Sequence, residues 1–392
     1  MCKFAGDRVE SGFPLDSAGS NAIAVGGADY TINLGRGPNG DASRALRRIV
    51  AVDLFCGAGG LAYGLRSAGL EVAAGVDLDP RCRFPFEANC DADFVHKDVA
   101  QVTADDLAEW FNGADVRVLA GCAPCQPFST YSQSRKSEDE RWKLLESFRD
   151  LALASLPEIV TMENVVGLAA REVWWSFTEA LRGAGYHVVW DEVRCADFGV
   201  PQRRKRLVLL ASRLGPIELP IPTHANKAVT VREVIAKLPP IVAGNVPAED
   251  PLHVASRLSV TNMKRMKASR AGGTWRDWPE ALRAACHMKK TGESYPAVYG
   301  RMEWDKPAPT ITTQCYGFGN GRFGHPDQDR AISLREAAIL QSFPASYRFV
   351  EKGRDASFRG LGILIGNAVP PKLAQAVGAT IVRHVAATAD LR

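Results

Sequence analysis

The stretch IVAVDLFCGAGGLAYG, residues 49–64, decides how this chain folds. Its first half is a short apolar run, the pattern of a buried strand. Its second half turns glycine-rich and then takes on helical spacing. Gly57, Gly59 and Ala62 fit G-x-G-x-x-(G/A) at the junction. Glycine lets the backbone turn sharply there and lets a ligand approach it closely.

Outward from that turn, short apolar runs alternate with helical patterns. EVAAGVDL (71–78), DADFVHKDV (91–99), VRVLAGC (116–122), EIVTMENV (158–165) and RLVLLAS (206–212) read as further strands. TADDLAEWF, WKLLESFRDLALASL and WWSFTEALRGAG read as the helices between them. Such alternation predicts a parallel, doubly wound α/β sheet. The rhythm breaks at the proline-rich PIELPIPTHANKAVT and returns in ISLREAAILQSF (332–343) and PPKLAQAVGATIVRHVAATA (370–389). Four segments are therefore expected: an unordered extension at 1–46, rich in small and polar residues; a core domain at 47–213; a second, smaller domain at 214–330; and a segment at 331–392 that packs back onto the first domain.

With 392 residues the chain can bury a substantial core. No apolar run reaches the roughly 18 residues of a membrane span, and the first residues lack the apolar centre of a signal peptide. Nine scattered cysteines suit a reducing cytoplasm. The net charge of +4 says little by itself about partners. Cys122 and Cys125 form a C-x-x-C, but neither a thioredoxin-like context nor a second ligand pair accompanies it. A redox or zinc role is not expected, no metal is predicted, and Cys122 reads as a small core residue.

Asp77 ends the second strand, eighteen residues after Gly59. A carboxylate there suits ribose hydroxyls, and Asp98, read as the end of the third strand, suits an adenine amino group. Together they imply a ligand with an adenosine moiety, without separating NAD from S-adenosylmethionine. AGCAPCQPFSTYS (120–132) sets Cys125 among prolines at the carboxyl end of the fourth strand, where such sheets bind ligands. Nearby cations would raise its thiolate fraction, and VPQRRKRLVLLA supplies Arg203, Arg204, Lys205 and Arg206 at the start of a later strand. Glu163, in ENV at the end of the fifth strand, faces the same edge and suits an acid, base or hydrogen-bond role.

These motifs, in this order, resemble those of the cytosine-C5 DNA methyltransferases of bacterial restriction–modification systems. DLFCGAGG is similar to their cofactor loop, GVDLDP to the second motif and KDV to the third. APCQPFS resembles the nucleophile loop, ENV the glutamate motif and QRRKR the Gln-x-Arg-x-Arg motif. RAISLREAAILQSFP (330–344) and GNAVPP (366–371) resemble the last two. The resemblance covers about residues 48–212 and 330–385. It implies a Rossmann-like, S-adenosylmethionine-dependent methyltransferase domain with a smaller target-recognition domain. Cys125 would attack C6 of cytosine. Glu163 would contact N3 and the exocyclic amine, and Arg204 and Arg206 would assist around the nucleophile. Phe55, Gly57, Gly59, Asp77, Leu78, Asp98, Val99, Pro124 and Asn367 would line the cofactor site. Gln126, Ser129 and Gln202 would meet the substrate. The partner would be double-stranded DNA, with a cognate restriction endonuclease acting separately, and the enzyme would work as a cytoplasmic monomer.

The segment 257–301 holds ten Lys or Arg against three acids, interleaved with Trp275, Trp278, Tyr295 and Tyr299. That composition suits phosphate contacts together with groove or base contacts. The loop-like EWDKPAPTITTQCYGFGNGRFGHP follows, with Thr, Asn and Arg able to touch base edges. Two other readings stand beside this one: a relative that methylates tRNA, and a catalytically silent DNA-binding relative. A dehydrogenase would leave APCQPFS, ENV and QRRKR unexplained.

Overall fold

Seven strands build one sheet: β1 (Ile49–Leu54), β2 (Glu71–Asp77), β3 (Asp93–His96), β4 (Val116–Gly121), β5 (Ile159–Asn164), β6 (His187–Arg194) and β7 (Lys205–Ser212). Their order is β3-β2-β1-β4-β5-β7-β6. The computed structural model describes residues 47–124, 138–245, 249–285, 287–289, 296–353 and 357–388. The extension expected at 1–46 lies outside them, as do Cys125, Gln126, Ser129 and Tyr295.

Side chains alternate across each strand, so the sheet feeds two cores. Ile49 and Ala51 of β1 face one, and Val50, Val52 and Leu54 face the other. On the first face α1 (Gly60–Ser67) packs against the last described helix, α10 (Pro371–Thr388). The contact is close because it is made by small residues. A Cβ on Gly64 would lie 2.3 Å from Ala374 Cβ, and one on Gly378 would lie 2.7 Å from Ala68 Cβ. On the second face Leu107, Phe148, Trp174 and Phe177 bury themselves. They come from α3 (Ala104–Trp110), α4 (Glu138–Ser155) and α5 (Glu172–Gly183). Helix α2 (Arg83–Cys90) lies between β2 and β3 in the chain.

Two features depart from the expected all-parallel sheet. The edge strand β6, HVVWDEVR, has no fully buried residue, and its apolar run is only VVW (188–190). β7 runs antiparallel to both β5 and β6, with Glu163 opposite Val208 and Asn164 opposite Leu207. β1 to β5 are parallel, as expected. β3 also ends earlier than its sequence suggests. Asp98 lies beyond it and caps a single turn, accepting the Ala100 N–H at 3.0 Å.

Beyond β7 regular structure is sparse. The short α6 (Val231–Ile235) and α7 (Val260–Ala268) precede α8 (Leu334–Leu340) and α9 (Phe358–Asn367). Isolated bridges, such as Ala271 with Arg301 and Gly324 with Ala331, link the loops. Met266, Trp275, Trp278, Phe318 and Ala331 form a separate small core. The tryptophans read as nucleic-acid contacts thus belong to that core, at 4% and 2% exposure, and Tyr299 packs against it. Arg301 is buried too, donating to the carbonyls of Met266, Ser269, His325 and Gln328. Nearby, Arg330 grips Glu336 with two bonds of 2.7 Å. His325 Nε2 lies 3.7 Å from Glu336, while its Nδ1 accepts the N–H groups of Asp327 and Gln328.

Candidate active site

The sheet changes direction between β1 and β4, the position where doubly wound sheets open a crevice at their carboxyl edge. Phe55 leaves β1 with φ +60, and Gly57 and Gly59 follow at +53 and +85. The two glycines are needed for different reasons. A Cβ on Gly59 would lie 2.6 Å from Cys90 Sγ and 2.9 Å from the Tyr347 hydroxyl. A Cβ on Gly57 would meet nothing within 4 Å. Gly59 serves packing, whereas Gly57 faces open space.

Asp77, at the end of β2, closes the turn. Its carboxylate accepts the Gly57 N–H at 2.9 Å and the Asp79 N–H at 2.8 Å. Burial raises its pKa, and those two bonds oppose the rise. Beneath it the buried Asp53 accepts the Ala62 N–H in the first turn of α1, and burial raises its pKa well above the carboxylate range. Leu78 is 62% exposed and Phe55 is half-buried. Two apolar side chains left open beside a carboxylate and a bare glycine turn suit an adenosine-bearing ligand. Asp98 is half-buried but holds its own turn, and Val99 packs inward at 3% exposure. Asn367 is exposed at the end of α9.

Across the switch point, β4 and β5 end side by side. Glu163 is buried at 5% exposure, with Arg206 Nε 2.8 Å from its Oε1. That contact is an ion pair, because the N–H is not aimed at the oxygen. Cys122 Sγ donates to Glu163 Oε2 at 3.3 Å. Cys122 is half-buried and packs against the first core, in keeping with its reading as a small core residue, and its thiol also meets Glu163. Pro124, half-buried, is the last described residue before Cys125. The antiparallel course of β7 explains how Arg206, at a strand start, reaches a glutamate at a strand end.

Arg204 and Gln202 lie deeper. Arg204 is 3% exposed and donates to the carbonyls of Ile311, Gly366 and Ala368. Burial, with Arg206 nearby, lowers its pKa to about 10. Gln202 is fully buried. Its Oε1 accepts Ile311 N–H at 2.8 Å, and its Nε2 donates to Leu340 O and Gln341 Oε1. Gln341 in turn donates to Ile365 O at 2.7 Å. Arg204 and Gln202 therefore brace the loops around the site, and the Gln202 amide is spent within the chain instead of facing a substrate. Gln341 lies within RAISLREAAILQSFP, but that motif gives no sign of its contacts with Gln202 and Ile365.

Among the described residues no group of His, Cys, Asp or Glu is arranged to hold a metal, and no helix is long and apolar enough to cross a membrane. The profile of the family described as C-5 cytosine-specific DNA methylase matches residues 49–383. The Type II methylase M.HgiDII of Herpetosiphon aurantiacus is 47% identical over 338 residues, covering 85% of this chain and 95% of its own. The Type II methyltransferase M1.HphI of Haemophilus parahaemolyticus is 31% identical over 342 residues, covering 85% and 86%. Among solved structures, a prophage-encoded chain of E. coli described as a DNA modification methyltransferase superposes with a TM-score of 0.66 at 20% identity, over 86% of this chain and 99% of that one. S. pombe Dnmt2 methyltransferase gives 0.58 at 17%, over 87% and 99%. At such identities the structures support the fold alone.

Proposed function

The chain belongs to the C-5 cytosine-specific DNA methylase family, and from that premise we propose how its residues carry out methyl transfer to C5 of cytosine. It is a DNA (cytosine-5-)-methyltransferase of the restriction–modification type. The observation that carries the residue assignment is the meeting of Glu163 and Arg206 at the sheet edge, beside the point where the chain enters APCQPFS.

Carbon 5 of cytosine is too weak a nucleophile to take a methyl group unaided. Cys125 Sγ adds to C6, forming a C–S bond and turning the ring into an enamine whose C5 is nucleophilic. Glu163 meets N3 and the exocyclic amine and stabilises the charge that develops there. Arg206 holds Glu163, and Arg204 holds the loops behind it. After methylation, loss of the C5 proton and departure of the thiolate restore aromaticity. Stacking blocks the C6 face within a duplex, so the base is extruded first, at a cost of about a few kcal/mol. For the attack of Cys125, positioning contributes up to ~7–11 kcal/mol.

The methyl donor is S-adenosylmethionine, which supplies an electrophilic methyl on a charged sulfur. The residues present fit it: Gly57 leaves space, Phe55 and Leu78 offer apolar flanks, and Asp77 offers a carboxylate to the ribose. The substrate is double-stranded DNA in the cytoplasm, read through residues 214–330. Exposed Lys264, Lys267, Arg270 and Lys289 there suit phosphate contacts. A separate restriction endonuclease would cut the same sequence.

The test is bisulfite sequencing of a plasmid from methylation-deficient cells expressing the protein, with Cys125→Ala as control. Protection at one short recurrent sequence, absent from the control, is expected. Protection that persists in the control would remove the covalent mechanism. No protection from folded protein would point to RNA.

A further inference from the structure

The ends of β4 and β5 hold one another through side chains pointing in opposite directions. Cys122 Sγ donates to Glu163 Oε2 at 3.3 Å, and Asn164 Nδ2 donates back to Ala123 O at 3.0 Å. On its other side the Cys122 N–H donates to Leu54 O, the last residue of β1, at 3.3 Å. The Cys122 backbone is thus tied to β1 and its thiol to β5, at the switch point itself.

Glu163 has need of such a hold. The terminal torsion of a glutamate is broad, so the plane of its carboxylate is soft unless both oxygens are restrained. Arg206 Nε lies against Oε1 alone, and its N–H is not aimed along a hydrogen bond. The thiol is the hydrogen-bond donor on the other oxygen. A thiol is a weak donor, but here its acceptor is a carboxylate oxygen at 5% exposure, on a side chain that Arg206 also holds.

We propose that Cys122 is a positioning residue for methyl transfer. Its thiol sets the plane of the Glu163 carboxylate, so that the acceptor directions left over face the edge of the extruded cytosine. The inference rests on the reading of Glu163 as the residue that meets the base. It gives the first cysteine of C-x-x-C a role distinct from that of the nucleophile.

The experiment uses the full chain and a DNA duplex carrying the methylated sequence. Single-turnover methyl-transfer rates and DNA dissociation constants are measured for Cys122→Ala, Cys122→Val and Cys122→Ser, in the native and in the Glu163→Gln background. In the native background Ala and Val lower the rate about three- to tenfold, the range of a modest hydrogen bond removed from the transition state. DNA affinity stays within about twofold, and Ser, which keeps a donor, restores the rate to within about twofold. In the Glu163→Gln background the Cys122 substitutions change the rate no further, because coupled residues are not additive. An equal loss with Ser, Ala and Val, or the same fold-loss in both backgrounds, overturns the proposal. If Ala fails to fold, Val, nearer the thiol in volume, carries the comparison. An unchanged rate in Glu163→Gln alone would instead remove the reading of Glu163, and with it the role of Cys122.

Discussion

Gly57 and Gly59 stand two residues apart, both with positive φ, and respond differently to the same change. Gly59→Ala drives a methyl into Cys90 and the buried Tyr347 hydroxyl, which also donates to Ala58 O. It should destabilise the fold by roughly 3 kcal/mol or more, seen as a large drop in melting temperature, because overpacking and backbone strain add. Gly57→Ala carries the strain alone, about 1 kcal/mol. Its methyl points where a ligand would lie, so S-adenosylmethionine affinity should fall further than stability. Calorimetric titration beside thermal melting separates the two, and equal losses from both variants would refute the distinction. A G-x-G-x-x-A pattern requires both glycines without saying which serves packing and which serves the ligand. That depends on Cys90 and Tyr347, which lie far along the chain.

At the scale of elements, Arg204 and Arg206 share one motif and one strand entrance but make different contacts, Arg204 with buried carbonyls and Arg206 with Glu163. Arg204→Met strands the carbonyl of Ile311 and leaves those of Gly366 and Ala368 only long bonds of 3.4 Å from Gln341. A stability loss of about 2–4 kcal/mol is expected, since each buried polar group left unpaired costs about 1–3 kcal/mol. Arg206→Lys should instead lower the methyl-transfer rate with little change in melting, because it reshapes the pairing with Glu163 and otherwise removes only an exposed bond to Lys205 O. Urea denaturation and single-turnover rates on the two variants test the division, and a matching stability loss in both would sink it. A second prediction concerns the junction before α8. Burial holds His325 near pKa 4 against an ordinary 6.5. Between those values the unfolded chain binds a proton that the folded one does not. Stability from this group is therefore complete above about pH 6.5 and is lost as pH falls toward 4, at up to about 1.4 kcal/mol per unit. His325→Asn should flatten that part of the stability profile, and an unaltered slope would contradict the assignment.

The sheet is legible in the sequence where function is local. Strand ends, glycine turn, ENV and QRRKR are contiguous in the chain, and their order points to the doubly wound class. Strand direction is not contained in such patterns. An apolar run such as RLVLLAS reads the same whether it runs parallel or antiparallel, so the reversal of β7 cannot be read there. Nor can β6, which lies at an edge and whose apolar run is only three residues long, VVW (188–190). Trp275 and Trp278 mislead for a related reason, since an aromatic beside arginines reads equally well as a reader of bases and as a core residue under a charged rim. Cys125, Gln126 and Ser129 lie outside the described residues, so their roles stand on the motif alone.

For the whole molecule, affinity for DNA should be governed by salt. Lys264 and Lys267 are exposed and three residues apart on α7, on one side of the helix. If they meet phosphates, Lys264→Ala with Lys267→Ala lowers the slope of log affinity against log salt by about 0.9 for each phosphate no longer neutralised. The protected sequence in bisulfite reads should stay the same, because phosphate contacts position and base contacts specify. An unchanged slope would place the two lysines off the DNA.

The pairing of α1 with α10 sets a timetable for synthesis. The helix that follows the glycine turn emerges from the ribosome early, and its packing partner follows about 300 residues later. At roughly 5–20 residues per second that interval lasts about 15–60 s. Throughout it the nascent chain shows a bare apolar flank at Leu61 and Leu65, which α10 covers in the finished fold. A ribosome-bound fragment stopped before Pro371 should therefore recruit holdase chaperones and lack methyl transfer, with activity expected only once α10 is made.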